Sequence, residues 1–119
     1  MTDNSELTKE YIELAKFHSS VDSFDLANTK KINKAANRMI EIAELVALQH
    51  GTEKFAELLD HEEVGVRTWA SFNLIERMNP NQETVNKALE EIRKIAKSDS
   101  LDAFGAELWL KNWNAKNDI

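Results

Sequence analysis

Apolar residues recur along most of the chain every three or four positions, the spacing of one helix face. Leu7, Tyr11, Leu14, Ala15 and His18 form the first stripe, widened by Ile12 and Phe17. Ser5 or Thr8 stands where a side-chain oxygen caps a first turn, and the stripe fades at Ser19 and Ser20. Residues 21–25 read as a connection in which Asp22 or Asp25 caps the next helix. That helix is predicted from Leu26 to His50, with Gly51 as the left-handed residue that closes it. Its inner face is Ile32, Ala35, Ala36, Met39, Ile42, Ala43, Val46 and Ala47, with alanines small enough for a neighbouring helix to come close.

Thr52 is placed to cap a short helix carrying Phe55, Leu58 and Leu59. An acidic turn, Asp60-His61-Glu62-Glu63, then leads into a helix with a wide apolar face that runs to about Met78, where Asn79, Pro80 and Asn81 stop it. Val85, Ala88, Leu89, Ile92, Ile95 and Ala96 mark a further helix from Gln82 to Lys97, with Arg93, Lys94 and Lys97 suiting its C-terminal dipole. Asp99 or Ser100 caps the last helix, whose apolar positions are Leu101, Phe104, Leu108, Trp109, Leu110 and Trp113. The polar tail from Asn114 to Ile119 is expected to fray.

Composition agrees with this all-α pattern. Three glycines and one proline in 119 residues leave few breaks, and the length suits a single domain with its own core. The absence of cysteine rules out disulfides, thiolate metal sites and cysteine nucleophiles. A polar, acidic N-terminus without an apolar segment points to a cytoplasmic protein with no membrane span. The net charge of −6 disfavours binding to nucleic acid; it either simply keeps the protein soluble or attracts a basic protein partner.

Two helical pairs repeat each other. Leu59, Ala70 and Leu74 correspond to Ile95, Ala106 and Leu110 at an offset of about 36 residues, in the range of two-helix repeats. With Leu58-Leu59-Asp60, then Val66-Arg67, then Ala70 and Leu74, the chain resembles the HEAT-like repeat, in which an acidic turn is followed by a helix opening on Val-Arg. The likeness is good over residues 53–78 and partial over 83–113, where Ala103 stands in place of Arg67. It implies about six helices in a right-handed HEAT-like α-solenoid, one domain spanning residues 1–119. The whole chain is similar to small bacterial HEAT-like proteins, some of which resemble immunity proteins of contact-dependent toxin–immunity systems. Arg67 is then expected to bond turn carbonyls or a carboxylate of the next repeat.

Chemistry is sparse. His18, His50 and His61 lack metal-ligand spacing, and Gly65 stands where a second zinc-binding histidine would be needed after His61-Glu62. No phosphate loop or nucleophile–base pattern emerges, so the reading is a non-enzymatic binding module with no metal and no cofactor. Its partner is expected to be a cognate toxin, a basic nuclease by charge. Contacts are expected from Glu53, Glu57, Asp60, Glu62 and Glu63. Trp69 is assigned to the core. Of Trp109 and Trp113, one turn apart, one is expected to pack inward and the other to stay exposed as an anchor. The alternative is a structural or adaptor HEAT-like protein without a toxin partner. A nucleic-acid-processing domain would want a basic face, which only Lys30, Lys31, Lys34 and Arg38 offer.

Overall fold

The first helix, α1 (Asn4–Ser20), starts on a different cap from the expected Ser5 or Thr8. The Asp3 carboxylate accepts the Ser5 N–H at 2.8 Å, and the Asp3 carbonyl accepts Leu7 N–H at 3.0 Å. Asp3 lies one residue earlier and brings negative charge to the positive end of the helix dipole. The computed structural model describes residues 3–20, 26–99 and 102–117. The expected caps Asp22, Asp25 and Ser100, together with Leu101 and the last two residues, lie outside them.

Leu7, Tyr11 and Ala15, one turn apart, are the buried edge of α1. They meet α2 (Leu26–Leu48), which buries Ala35, Met39, Ile42, Ala43 and Val46. Arg38 binds both oxygens of Glu10 across this contact, at 2.7 and 2.9 Å, and also Glu41 on its own helix. The hydrogen bond from Arg38 holds the Glu10 carboxyl below its usual range.

The end of α2 departs from expectation. The left-handed residue is His50, with φ 60°, and Gly51 has φ −97°. His50 N–H bonds to the Ala47 carbonyl at 3.1 Å and Gly51 N–H to Val46 at 2.9 Å, the paired bonds of a Schellman closure. The glycine is needed one position later for a different reason. A Cβ on Gly51 would lie 2.7 Å from Asn4 Nδ2 and 2.8 Å from Val46 Cγ1. Replacing exposed His50 with glycine should therefore stabilise the protein by about 0.5–1 kcal/mol, because the left-handed penalty on Cβ exceeds the added chain entropy. Urea unfolding of His50→Gly would show it, and an unchanged midpoint would remove the argument.

The next segment is α3 (Thr52–Phe55), tightening into a 3-10 helix over Ala56–Asp60. Thr52 is its first helical residue, not its cap, and its hydroxyl donates to the Met78 carbonyl at 3.4 Å. Phe55, Leu58 and Leu59 are buried.

The central helix is α4 (Val64–Arg77), which packs on α1, α2, the 3-10 helix and the helix that follows. Val66, Ala70 and Leu74 are wholly covered. Its small residues allow the crowding: Gly65 crosses α1 so closely that a Cβ there would lie 2.8 Å from the Ser19 Cβ. Trp69, expected in the core, is half-buried and sets its ring against His18 at 4.8 Å. Burial lowers the pKa of that imidazole.

Asn81 caps α5 (Gln82–Ala96) by accepting Thr84 N–H at 2.9 Å. Ala88, Leu89, Ile92 and Ile95 are its buried face. Helix α6 (Ala103–Lys116) packs on α5. It stays helical through Lys116, into the tail expected to fray, and Asn117 N–H still bonds to the Trp113 carbonyl at 3.0 Å. Its start differs from expectation too: Asp102 holds the cap position, without a side-chain capping bond.

Among the described residues every regular element is helical, and none is long and apolar enough to cross a membrane. The molecule measures 38 × 36 × 24 Å, so its thin dimension is two helix diameters of about 10–12 Å. Among the described residues, one apolar cluster joins α1 through α4 and takes in Ala88 of α5, another lies between α5 and α6 around Ile92, Ile95 and Ala106, and Ile75 of α4 packs against both.

Candidate functional site

The acidic turn between the 3-10 helix and α4 is held by one side chain. Buried Leu58 and Leu59 draw the 3-10 helix inward, and the chain turns extended at His61. His61 Nδ1 accepts the Glu63 N–H at 3.0 Å. From the first turn of α4, Arg67 reaches back and donates to the carbonyls of His61 at 2.7 Å and Glu62 at 3.1 Å. Its Nε donates to Glu91 of α5 at 3.0 Å. Arg67 thus ties the turn to the next helix, meeting both structural expectations at once.

The Glu91 side chain is only 12% exposed, with the Arg67 guanidinium as its ion-pair partner. Arg67→Met should cost about 1–3 kcal/mol, by stranding a covered carboxylate and two carbonyls. Glu91→Gln should cost less, since its amide oxygen still accepts from Arg67. Urea unfolding gives both values, and equal losses would contradict the stranded-charge account.

Behind the turn lies a groove of about 780 Å³, bounded also by the ends of α1 and α5 and the start of α6. This volume lies within the range of ligand sites, about 300–1,000 Å³. Leu59, Ile95 and Val64 give it apolar surface. Asp60, Glu62, Glu91 and Asp102 bring four carboxylates, against Arg67 and Lys94 as cations. Arg67 is already committed to the turn and Glu91. Asp60 also reaches Lys87 at 2.7 Å, whereas Glu62 has no ion pair among the described residues. The hydroxyls of Thr68 and Ser98 donate to backbone carbonyls, at 2.8 and 2.7 Å. A long aliphatic side chain with a cationic head fits such a surface, its stem on the apolar residues and its head among the oxygens.

The acids expected to act together are divided by the fold. Asp60 and Glu62 line the groove; Glu53, Glu57 and Glu63 are exposed outside its lining. Glu57 lies 3.8 Å from Lys54. Glu63 occupies the cap position of α4 without a side-chain bond. Glu91, Lys94 and Asp102 were not picked out as site residues, because α5 and α6 bring them to the turn from far along the chain. One signal did point there. Ile95, the counterpart of Leu59 in the repeat, shares the groove with it.

The tryptophans form a second hollow, of about 440 Å³, between α4 and α6. The expected division into one inner and one outer ring does not occur. Trp109 and Trp113 are both half-buried and stack in parallel, with centroids 5.5 Å apart. Trp109 also meets Phe72 edge-on at 5.3 Å and donates its Nε1–H to Glu76 at 2.6 Å. Stacking leaves each ring shielding the other while one of them anchors α6 to α4. In the basic cluster, Arg38 is held by Glu10 and Glu41, leaving Lys30, Lys31 and Lys34 exposed on α2.

No family model, curated protein or solved structure matches the chain.

Proposed function

We propose that the chain is a non-enzymatic protein-binding module: an immunity protein of the HEAT-like kind that neutralises a cognate toxin, a basic nuclease, by covering its active site. The observation that carries this reading is the excess of carboxylates in the groove behind the turn, where the main cation is already spent on internal bonds. A nuclease surface built to hold phosphates is rich in lysine and arginine. Those side chains suit the groove, and once seated there they are closed to nucleic acid. Glu53, Glu57 and Glu63 extend the negative field around it, and the net charge of −6 attracts such a partner from a distance. The Trp109–Trp113 stack is the second proposed contact, and the cytoplasm the proposed place of action. The HEAT-like assignment draws support from matched burial in the repeat: Leu59 with Ile95, and Ala70 with Ala106.

The test starts from the reading frame beside this chain's gene. Its product should arrest growth, and co-expression of the chain should relieve the arrest. Between the purified proteins, association should slow steeply with added salt. The Glu62→Lys/Asp102→Lys variant should associate about tenfold more slowly at low salt. Salt-independent association would eliminate the electrostatic mechanism. A neighbouring product that is neither toxic nor bound would eliminate the immunity reading in favour of an adaptor.

A further inference from the structure

Helix α6 is apolar on two opposite sides. Ala106 is buried, Trp109 and Leu110 pack against its cluster on the inner side, and Trp113 stacks on Trp109. At 100° per residue, Phe104, Leu108, Lys111 and Ala115 fall on the other side, and all four are exposed. Phe104 is 77% exposed and Leu108 51%. Both are among the apolar positions of the last helix in the sequence pattern, and the fold leaves them in solvent. Phe104 and Leu108 thus form a small apolar patch that none of the described helices covers.

The charges on α6 indicate what fits the other side. Asp102 and Glu107 stand in the first half of the segment, Lys111 and Lys116 in the second. All four are exposed, and none forms an ion pair among the described residues. Acid first and base last makes a parallel pairing of two such helices repulsive and an antiparallel pairing attractive. Glu107 and Lys111 also flank the apolar stripe on the same side, the arrangement in which an antiparallel two-fold brings each opposite the other's counterpart.

We infer that the outer face of α6 is a contact between two copies of this chain, packed antiparallel about a two-fold axis near the level of Trp109. Leu108 then meets Leu108 of the second copy, and Phe104 reaches the small side chain at Ala115. Glu107 faces Lys111 at both ends, as a self-complementary interface requires. A pair of 14-residue helices covers less than the roughly 800 Å² per partner of a standard interface. The dimer therefore forms and dissociates with concentration.

Sedimentation velocity of the whole chain, from about 10 µM to about 1 mM in roughly 0.15 M salt, tests the inference. The expected result is a concentration-dependent shift from monomer to dimer. Phe104→Lys and Leu108→Lys should each leave a monomer with unchanged circular dichroism. Glu107→Lys and Lys111→Glu should each weaken the dimer about tenfold, and the double exchange should restore it. A monomer throughout the range overturns the proposal and leaves the face to another kind of partner. A dimer that survives Phe104→Lys and Leu108→Lys overturns the surface. A double exchange no better than the singles overturns the antiparallel arrangement.

Discussion

Truncating Ile92 to alanine should lower stability by about 3 kcal/mol and the melting temperature by about 10 °C. Ile92 is wholly buried and lies at the centre of the smaller apolar cluster, between α5 and α6. Its loss removes transfer free energy and leaves a cavity that the cluster is too small to refill. The effect should spread through the molecule, because Ile75 packs against both clusters and carries the disturbance through α4 to α1 and α2. Melting followed by far-ultraviolet circular dichroism and by tryptophan fluorescence should therefore coincide, as in a two-state transition. Trp109, with Trp113 stacked on it, reports on the smaller cluster and Trp69 on the larger. If fluorescence in a Trp69→Phe background melts well below the circular dichroism, the two clusters are not one cooperative unit.

The second large effect concerns a polar contact inside the larger cluster. Asn73 of α4 donates its amide N–H to the Tyr11 hydroxyl of α1 at 2.6 Å, with Tyr11 wholly buried and Asn73 only 3% exposed. Burial pushes the Tyr11 hydroxyl well above its ordinary pKa, so it remains a neutral acceptor. Tyr11→Phe preserves the ring contact with Phe55, at 4.8 Å, and strands the Asn73 amide. The expected cost is about 1–3 kcal/mol, the price of a buried donor without an acceptor. Asn73→Leu should cost a similar amount by stranding the hydroxyl. The double variant should be less destabilised than the sum of the singles, since both polar partners are then gone. Additive losses in urea unfolding would mean that the hydrogen bond contributes nothing specific.

The helices were legible because each buries one stripe, and stripes repeat at 3.6 residues whatever the partner. The α4 segment stood out for its width, which the fold explains: it is packed on several sides. Two matched pairs of the repeat, Leu59 with Ile95 and Ala70 with Ala106, share complete or near-complete burial. Leu110 is only half-buried where Leu74 is wholly covered, because no further described helix packs beyond α6. Periodicity failed at α6 itself. With apolar residues on both sides, nothing local decides which side turns inward, and the sequence alone does not separate exposed Phe104 and Leu108 from the inner Trp109 and Leu110. The close of α2 was misread by one residue because glycine is the ordinary left-handed closer. Here the glycine answers the crowding by Asn4 and Val46, and His50 takes the strain.

The groove was half legible. Asp60 and Glu62 lie two positions apart in the chain and are visible as a cluster, so their place at the turn could be read directly. Their partners in space come from α5 and α6, and only the full packing brings Glu91 and Asp102 to the same hollow. Sequence proximity also included Glu53, Glu57 and Glu63, which the fold directs elsewhere. Nearness along the chain and nearness in space agree at a turn and diverge within a turn or two of helix.

The order in which the helices pack bears on how the chain reaches this structure. Neighbours in sequence are neighbours in space for α1 with α2, α4 with α5 and α5 with α6. Such local topology closes short loops and belongs to the helical class that folds in microseconds to milliseconds. Less local are the dockings of α1 and α2 on α4; the Tyr11–Asn73 bond between α1 and α4 joins residues 62 positions apart. Bringing those two helices together closes a long loop and so raises the entropic part of the barrier. The rate-limiting encounter in folding should be that of the first helix with the fourth, with the last two helices condensing onto a nucleus already formed.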